Sequence, residues 1–244
     1  GWLTDADGDV TSPEWLDGRE TLLALRDVDG SEQFDLFEVD PETGEVTPLL
    51  DDEYMNVKAR QHPTDPDRVA FVSNRERSLD LYTLDLADGT VTRRSEATEP
   101  VIGYAWSPDG DRLVYQAGTF EDSALRVVSL DLDRDDVFVD EPDSEQSIAF
   151  IDDGAGTWSE EGVVFTTNHR TGYRELAVAG GDGEYDLRYV NNRDKYDPQW
   201  TDDGEIAFLE ARGGDRQLRV LEDGLAFGGG GLRVGKLDEV GPLE

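Results

Sequence analysis

The chain contains no cysteine, which excludes disulfides and thiol chemistry and leaves no mark of a redox compartment. Histidine is nearly as scarce. His62 and His169 are its two copies, so any Ser-His-Asp relay would have to draw its base from that pair. No apolar run approaches the roughly 18 residues that a membrane-spanning helix needs. The chain opens at Gly1-Trp2 and Met55 is its one methionine, so the expectation is an excised or processed piece of a longer protein.

Positive charge is the other shortage. Twenty-two basic residues stand against 57 acidic ones, a formal charge of -35, and only Lys58, Lys195 and Lys236 are lysines. A nucleic-acid backbone demands a basic footprint, so nucleic acid is excluded as a partner, and nothing points to a membrane. The acidity is spread through aromatic-bearing repeats and is not gathered into one block, which argues against a disordered acidic tail. It reads as the surface of a halophilic protein, with the cytoplasm as the expected location.

What the chain has in plenty is repetition. P-E-W-L-D-G-R-E-T-L-L-A-L begins at Pro13, A-W-S-P-D-G-D-R-L-V-Y at Ala105, T-W-S-E-E-G-V-V-F at Thr157 and Q-W-T-D-D-G-E-I-A-F at Gln199. A degenerate copy, Q-H-P-T-D-P-D-R-V-A-F from Gln61, places His62 near the position that Trp holds elsewhere. The anchors Trp15, Gln61, Trp106, Trp158 and Trp200 step by 46, 45, 52 and 42 residues. Such periods belong to propeller blades, solenoid units or helical arrays.

A second recurrence chooses among these. D-L-F-E-V-D from Asp35, D-L-Y-T-L-D from Asp80 and R-V-V-S-L-D from Arg126 follow the turns, with weaker copies R-E-L-A-V-A from Arg174 and Q-L-R-V-L-E from Gln217. Period-two alternation argues for half-buried strands, and no window sustains a 3.6-residue stripe. Glu42-Thr43-Gly44, Asp88-Gly89 and Asp182-Gly183 then supply hairpin turns into a further strand.

The fold class is therefore all-β. The expected architecture is a β-propeller of four-stranded antiparallel blades, with five repeats recognised and room for a sixth, partial blade. One propeller domain is expected over residues 1–227, with blades at about 10–50, 55–95, 102–141, 155–190 and 196–227. Residues 228–244, which repeat nothing upstream, are either a tail or a ring-closing segment in which residues near Leu232 pair with the N-terminal residues.

A large aromatic at the same place in every unit is expected to pack between blades, because a binding site is normally one place. D-A-D-G-D from Asp5 has the opening rhythm of a calcium loop through Asp5, Asp7 and Asp9, but Val10 and Leu16 stand where that loop wants Gly and Glu. No metal and no cofactor are expected. No G-x-S-x-G elbow occurs, His62 replaces a packing residue and His169 lies in the turn T-N-H-R-T-G, so no residue is assigned a catalytic role.

Sorting the scarce cations by loop is more informative. In a blade with strands A to D, the B-to-C and D-to-A connections share one end. That end receives Arg75, Arg77, Arg170, Arg193, Lys195, Arg212 and Arg216, together with His169. The other end receives Arg19, Arg68, Arg112 and Arg134. Either each Arg pairs locally with an abundant carboxylate, or the first end meets an anionic group, such as a peptide C-terminal carboxylate or an acidic partner, through bidentate contacts.

S-P-D-G-D-R-L-V-Y from Ser107 and F-V-S-N-R-E-R-S-L-D-L-Y-T-L-D-L from Phe71 resemble the WD40-like repeat of TolB-type propellers. The same repeat forms the non-catalytic propeller of the S9 (prolyl oligopeptidase) serine peptidases, and the resemblance covers nearly all of residues 10–224. It implies a propeller that gates or binds peptide for a hydrolase domain absent from this chain. A stand-alone TolB-like protein-binding scaffold is the alternative, and a propeller enzyme with a channel metal, of the lactonase or lyase type, is a third. The partner in the first two is a peptide or protein.

A charge of this size makes salt the first variable to test. Raising KCl from about 0.1 M to about 1 M shortens the screening length from about 10 Å to about 3 Å, and should raise the thermal unfolding midpoint followed by circular dichroism. A midpoint that stays put or falls would show that self-repulsion does not limit stability.

Overall fold

Strand follows turn follows strand, and no helix occurs among the described residues. The computed structural model describes residues 9–27, 30–31, 33–76, 78–119, 123–131, 134–139, 149–150, 157–168, 171–221 and 237–239. The chain divides into two compact units, Gly1–Val101 and Ile102–Glu244.

In the first unit, β1 (Asp9–Leu16), β2 (Thr21–Asp27), β3 (Phe34–Val39) and β4 (Val46–Leu50) form one antiparallel sheet in chain order. A second sheet repeats it with β5 (Asn56–Gln61), β6 (Arg68–Ser73), β7 (Asp80–Asp85) and β8 (Val91–Arg93). The second unit continues with β9 (Val101–Trp106), β10 (Arg112–Gly118), β11 (Ser123–Ser129) and β12 (Arg134–Val139). Next come β13 (Ala149–Phe150), β14 (Trp158–Ser159), β15 (Gly162–Thr167), β16 (Glu175–Ala179) and β17 (Tyr185–Tyr189), in which two short strands share the edge of β15. The last sheet holds β18 (Lys195–Trp200), β19 (Ile206–Arg212), β20 (Asp215–Leu221) and β21 (Leu237–Glu239).

The architecture is a β-propeller of four-stranded antiparallel blades, five of them among the described residues. Each alternating run found in the sequence is the third strand of its blade. Of residues 228–244, Leu237–Glu239 are described, and they lie antiparallel on β20 with Glu239 opposite Arg219. They thus provide the fourth strand of their own blade, whereas Leu232 lies outside the described residues.

The middle strands are buried more fully than half-buried alternation suggests. Every residue of β15 and β16 is buried, as are five of the six in β6. The reason is that a blade is covered on both faces. Val163 and Phe165 pack with Val114, Leu125 and Val139 of the third blade, while Val164 joins Ile206, Phe208 and Leu221 of the fifth. In the first unit, Leu23 and Leu36 of one blade meet Val69, Phe71 and Leu84 of the next. Both sides of such a strand need apolar residues, so its pattern runs nearly continuous.

The first strands of the first, second and fifth blades share a kink absent from any sequence pattern. Their ladders slip between Thr11 and Glu14, between Val57 and Arg60, and between Tyr196 and Gln199. Ser12, Lys58 and Asp197 sit in these bulges with φ of 53°, 58° and 52°. A bulge bends the strand and re-aims the side chains beyond it. Three residues on lie Trp15, Gln61 and Trp200, so Gln61, and not His62, takes the place of Trp in the second blade.

Trp200 shows what this position does. It is 8% exposed, and its Nε1 donates to Gly162 O of the preceding blade at 3.0 Å. Trp158 is equally buried and stacks on Phe138 of the third blade. Gln61 substitutes a polar clamp: it accepts from Asp17 N at 2.7 Å and donates to Asp17 O at 3.0 Å. Trp15, by contrast, is 59% exposed. Trp200→Ala should therefore cost about 3–5 kcal/mol, and Trp15→Ala about 0.5 kcal/mol, in denaturant melts at high salt. Equal costs would contradict the packing role.

Candidate functional site

In the first unit the cation-bearing end is represented by Arg75, in the connection from β6 to β7. Its guanidinium meets Asp52 Oδ2 at 3.0 Å and Asn56 Oδ1 at 3.1 Å, and its Nε donates to Ser73 Oγ at 3.3 Å. The same group lies 5.2 Å from the centre of the Phe71 ring and 5.0 Å from that of Tyr82. Arg75 thus ties the β4–β5 connection to the β6–β7 loop, and much of its donor capacity is used inside the blade.

In the second unit the equivalent end holds a buried ionic network. The Lys195 side chain is wholly buried, and its ammonium donates to Glu175, to Asn191 Oδ1 at 2.8 Å and to Arg193 O at 2.7 Å. Burial pushes this ammonium below the usual lysine range, and the hydrogen bond it gives to Glu175 works in the opposite direction. Glu210, also buried, takes Arg219 at 3.3 Å and Arg193 at 3.6 Å, and accepts from Asn191. Removing one member would strand a buried charge, which marks the network as structural.

Arg216 stands apart. It is the second residue of β20, is exposed, and holds its guanidinium carbon 4.0 Å from the centre of the Tyr196 ring. Arg174 lies 5.1 Å from the same ring. Among the described residues no carboxylate is paired with Arg216, although Arg212 beside it donates to Gln217 at 3.4 Å. An arginine held on an aromatic face keeps the edge of its fork for a planar anion such as a carboxylate.

The remaining sequence candidates divide simply. Arg77, His169, Arg170, Asp5 and Asp7 lie outside the described residues, and Asp9 is placed only as the first residue of β1, opposite Asp27. Among the described residues, no group of three or more His, Asp and Glu side chains could hold a metal ion. His62 caps its turn, its Nδ1 accepting from Thr64 N at 3.1 Å and Asp65 N at 3.0 Å.

Sequence reasoning missed Tyr196, Arg174 and Arg219, together with the carboxylates Glu175 and Glu210 that hold the network. Tyr196 was accessible from its adjacency to Lys195. The other four lie within strand runs or at their margins and resemble ordinary strand polar residues.

Comparison with known proteins agrees with the fold. No family model matches the chain. A TolB homolog of Chlorobium luteolum is 28% identical over 158 residues, covering 64% of this chain and 34% of its own length. The chain thus spans about a third of that relative. The structure of a putative TolB from Agrobacterium tumefaciens is similar over 95% of this chain and 80% of its own, with a TM-score of 0.66 at 13% identity. A puromycin-hydrolyzing peptidase of Mycobacterium tuberculosis is similar over 91% of this chain and 38% of its own, with a TM-score of 0.67 at 15% identity.

The platform under Arg75 makes a test available. Burial, with Asp80 and Glu76 adding negative charge, pushes the Tyr82 hydroxyl up to about 12 from its ordinary 10.0. That hydroxyl is buried with no hydrogen-bond partner among the described residues. Because the folded value is raised, the group's contribution to stability is intact below pH 10.0 and is lost as pH rises towards about 12. Tyr82→Phe should leave stability at pH 7 unchanged or slightly higher, and should flatten the alkaline loss. A variant that unfolds at the same alkaline midpoint as the parent would exclude Tyr82 as a cause.

Proposed function

Because the chain is a TolB-like β-propeller, we propose that it is a non-catalytic protein-binding domain, receiving peptide for a serine hydrolase domain encoded elsewhere in the parent polypeptide. The observation that carries the reading is Arg216, presented on Tyr196 with no carboxylate of the described chain upon it. A guanidinium so held is prepared for the C-terminal carboxylate or an acidic side chain of a peptide. The hydrolase placement is supported by the likeness to a peptidase of which this chain covers 38%, and by the lack of a G-x-S-x-G elbow in its 244 residues.

A second reading is favoured by the sequence relative, a TolB homolog: a stand-alone protein-binding scaffold with no hydrolase attached. The parent reading frame separates the two. A downstream domain with G-x-S-x-G supports the first, and a frame that closes near Glu244 with a secretion signal upstream supports the second.

Binding is tested by fluorescence anisotropy at high salt with peptides that have free or amidated C-termini. Arg216→Gln should weaken binding of the free-carboxylate peptide about tenfold, the loss of one charge-assisted contact. Unchanged affinity for every peptide would sink the proposal.

A further inference from the structure

A second arginine without an ion pair among the described residues lies at the opposite loop end of the second unit, in a groove between the third and fourth blades with a volume of about 800 Å³. Arg112, at the start of β10, holds its guanidinium carbon 4.8 Å from the centre of the Trp158 ring, whose other neighbour is the stacked Phe138. Among the described residues this guanidinium makes no hydrogen bond and no ion pair. Asp109, the carboxylate nearest in sequence, makes its hydrogen bonds within its own loop, where its Oδ1 accepts from the Ser107 hydroxyl and from Asp111 N at 3.1 Å; these bonds, with the nearby charge of Arg112, hold its carboxyl below the usual range. The space is also lined by Glu160, Glu161 and Asp182.

One cation and four carboxylates therefore face a single groove. A bare anion would gain Arg112 but meet four negative charges. A bare cation would suit the carboxylates but would be repelled by Arg112 beside it. A ligand carrying both signs, with its carboxylate placed on the guanidinium and its cations towards the rim, suits this mixed lining best. The volume is within the range of sites that enclose small ligands, and admits a few residues of extended chain.

We propose that this groove binds an amphoteric peptide segment, a carboxylate side chain flanked by lysine or arginine, through a bidentate contact with Arg112 and ion pairs with Glu160, Glu161 and Asp182. The proposal is independent of the Arg216 site, which lies at the other end of the blades. Trp158 stiffens Arg112 in advance, so little side-chain freedom is lost on binding.

The test is calorimetric titration of the chain, at high salt, with three capped tripeptides: Lys-Asp-Lys, Asp-Asp-Asp and Lys-Lys-Lys. Lys-Asp-Lys should bind at least about tenfold tighter than either of the others. Arg112→Gln should reduce it to the level of Lys-Lys-Lys, whereas Arg216→Gln should leave it unchanged. Because Arg112 also packs on Trp158, the doubly substituted Glu160→Gln, Glu161→Gln chain provides a variant that spares the stack. It should weaken Lys-Asp-Lys and shift preference towards Asp-Asp-Asp, which a loss of structure alone would not do. The proposal is overturned if Lys-Lys-Lys binds as tightly as Lys-Asp-Lys, if folded Arg112→Gln binds Lys-Asp-Lys normally, or if no tripeptide binds.

Discussion

A four-stranded blade has two apolar faces and can bury neither by itself, and the rest of this structure depends on that constraint. In β15 alternate side chains go to opposite neighbours: Val163 and Phe165 to the third blade, Val164 to the fifth. Stability within a unit is therefore shared between adjacent blades, as in other repeat architectures. The Trp-to-acidic-Gly phrase is the local fastening of that contact. Trp200 reaches back to Gly162 O, the very Gly that closes the phrase in the preceding blade. Gly162 has φ of 123°, and a Cβ there would fall 2.2 Å from Ala179 O. The phrase is thus one half of a joint whose other half is the same phrase one blade earlier.

The second constraint is electrostatic. With 57 acidic residues and 22 basic ones, the few carboxylates that folding buries compete for scarce cations. Glu175 obtains Lys195, Glu210 obtains Arg219, Asp135 obtains Arg126 and Asp80 obtains Arg93. A buried carboxylate without such a partner would cost several kcal/mol or take up a proton. Arg19 serves in the same way where the first two blades meet, pairing with Glu38 and, across the junction, with Asp67. Much of the positive charge of this chain is consequently structural, whatever the face on which it lies.

This explains what could be read in the sequence. Blade number, strand order and hairpin turns were legible because they recur: five copies average out the noise of any one. The third strands, from Asp35 to Gln217, stood out because apolar and polar residues alternate there while an acidic turn precedes them. The bulges at Ser12, Lys58 and Asp197 were not legible, since three different side chains fill one left-handed position and nothing local requires Gly. The exchange of Gln61 for Trp was half legible. A polar clamp satisfies the same joint by hydrogen bonds, and adjacent His62 drew attention because it is rare. As for the site, grouping cations by loop found Arg216 but placed Arg75 and Lys195 in the same group, because loop position does not reveal which carboxylates fold back to meet a cation.

Pairing therefore separates the cations more sharply than location does. Arg75 and Lys195 touch aromatic rings too, yet each also forms an ion pair, with Asp52 and Glu175 respectively, so its charge is already compensated. Arg112 and Arg216 lie on Trp158 and Tyr196 with no such partner among the described residues. Stacking contributes about 0.5–1 kcal/mol at exposed positions, enough to fix a side chain though less than a good ion pair would add. In a chain so rich in carboxylates, a guanidinium fixed in place and left without an ion pair among the described residues is the feature that folding does not use. It is also the feature that a ligand carboxylate would need.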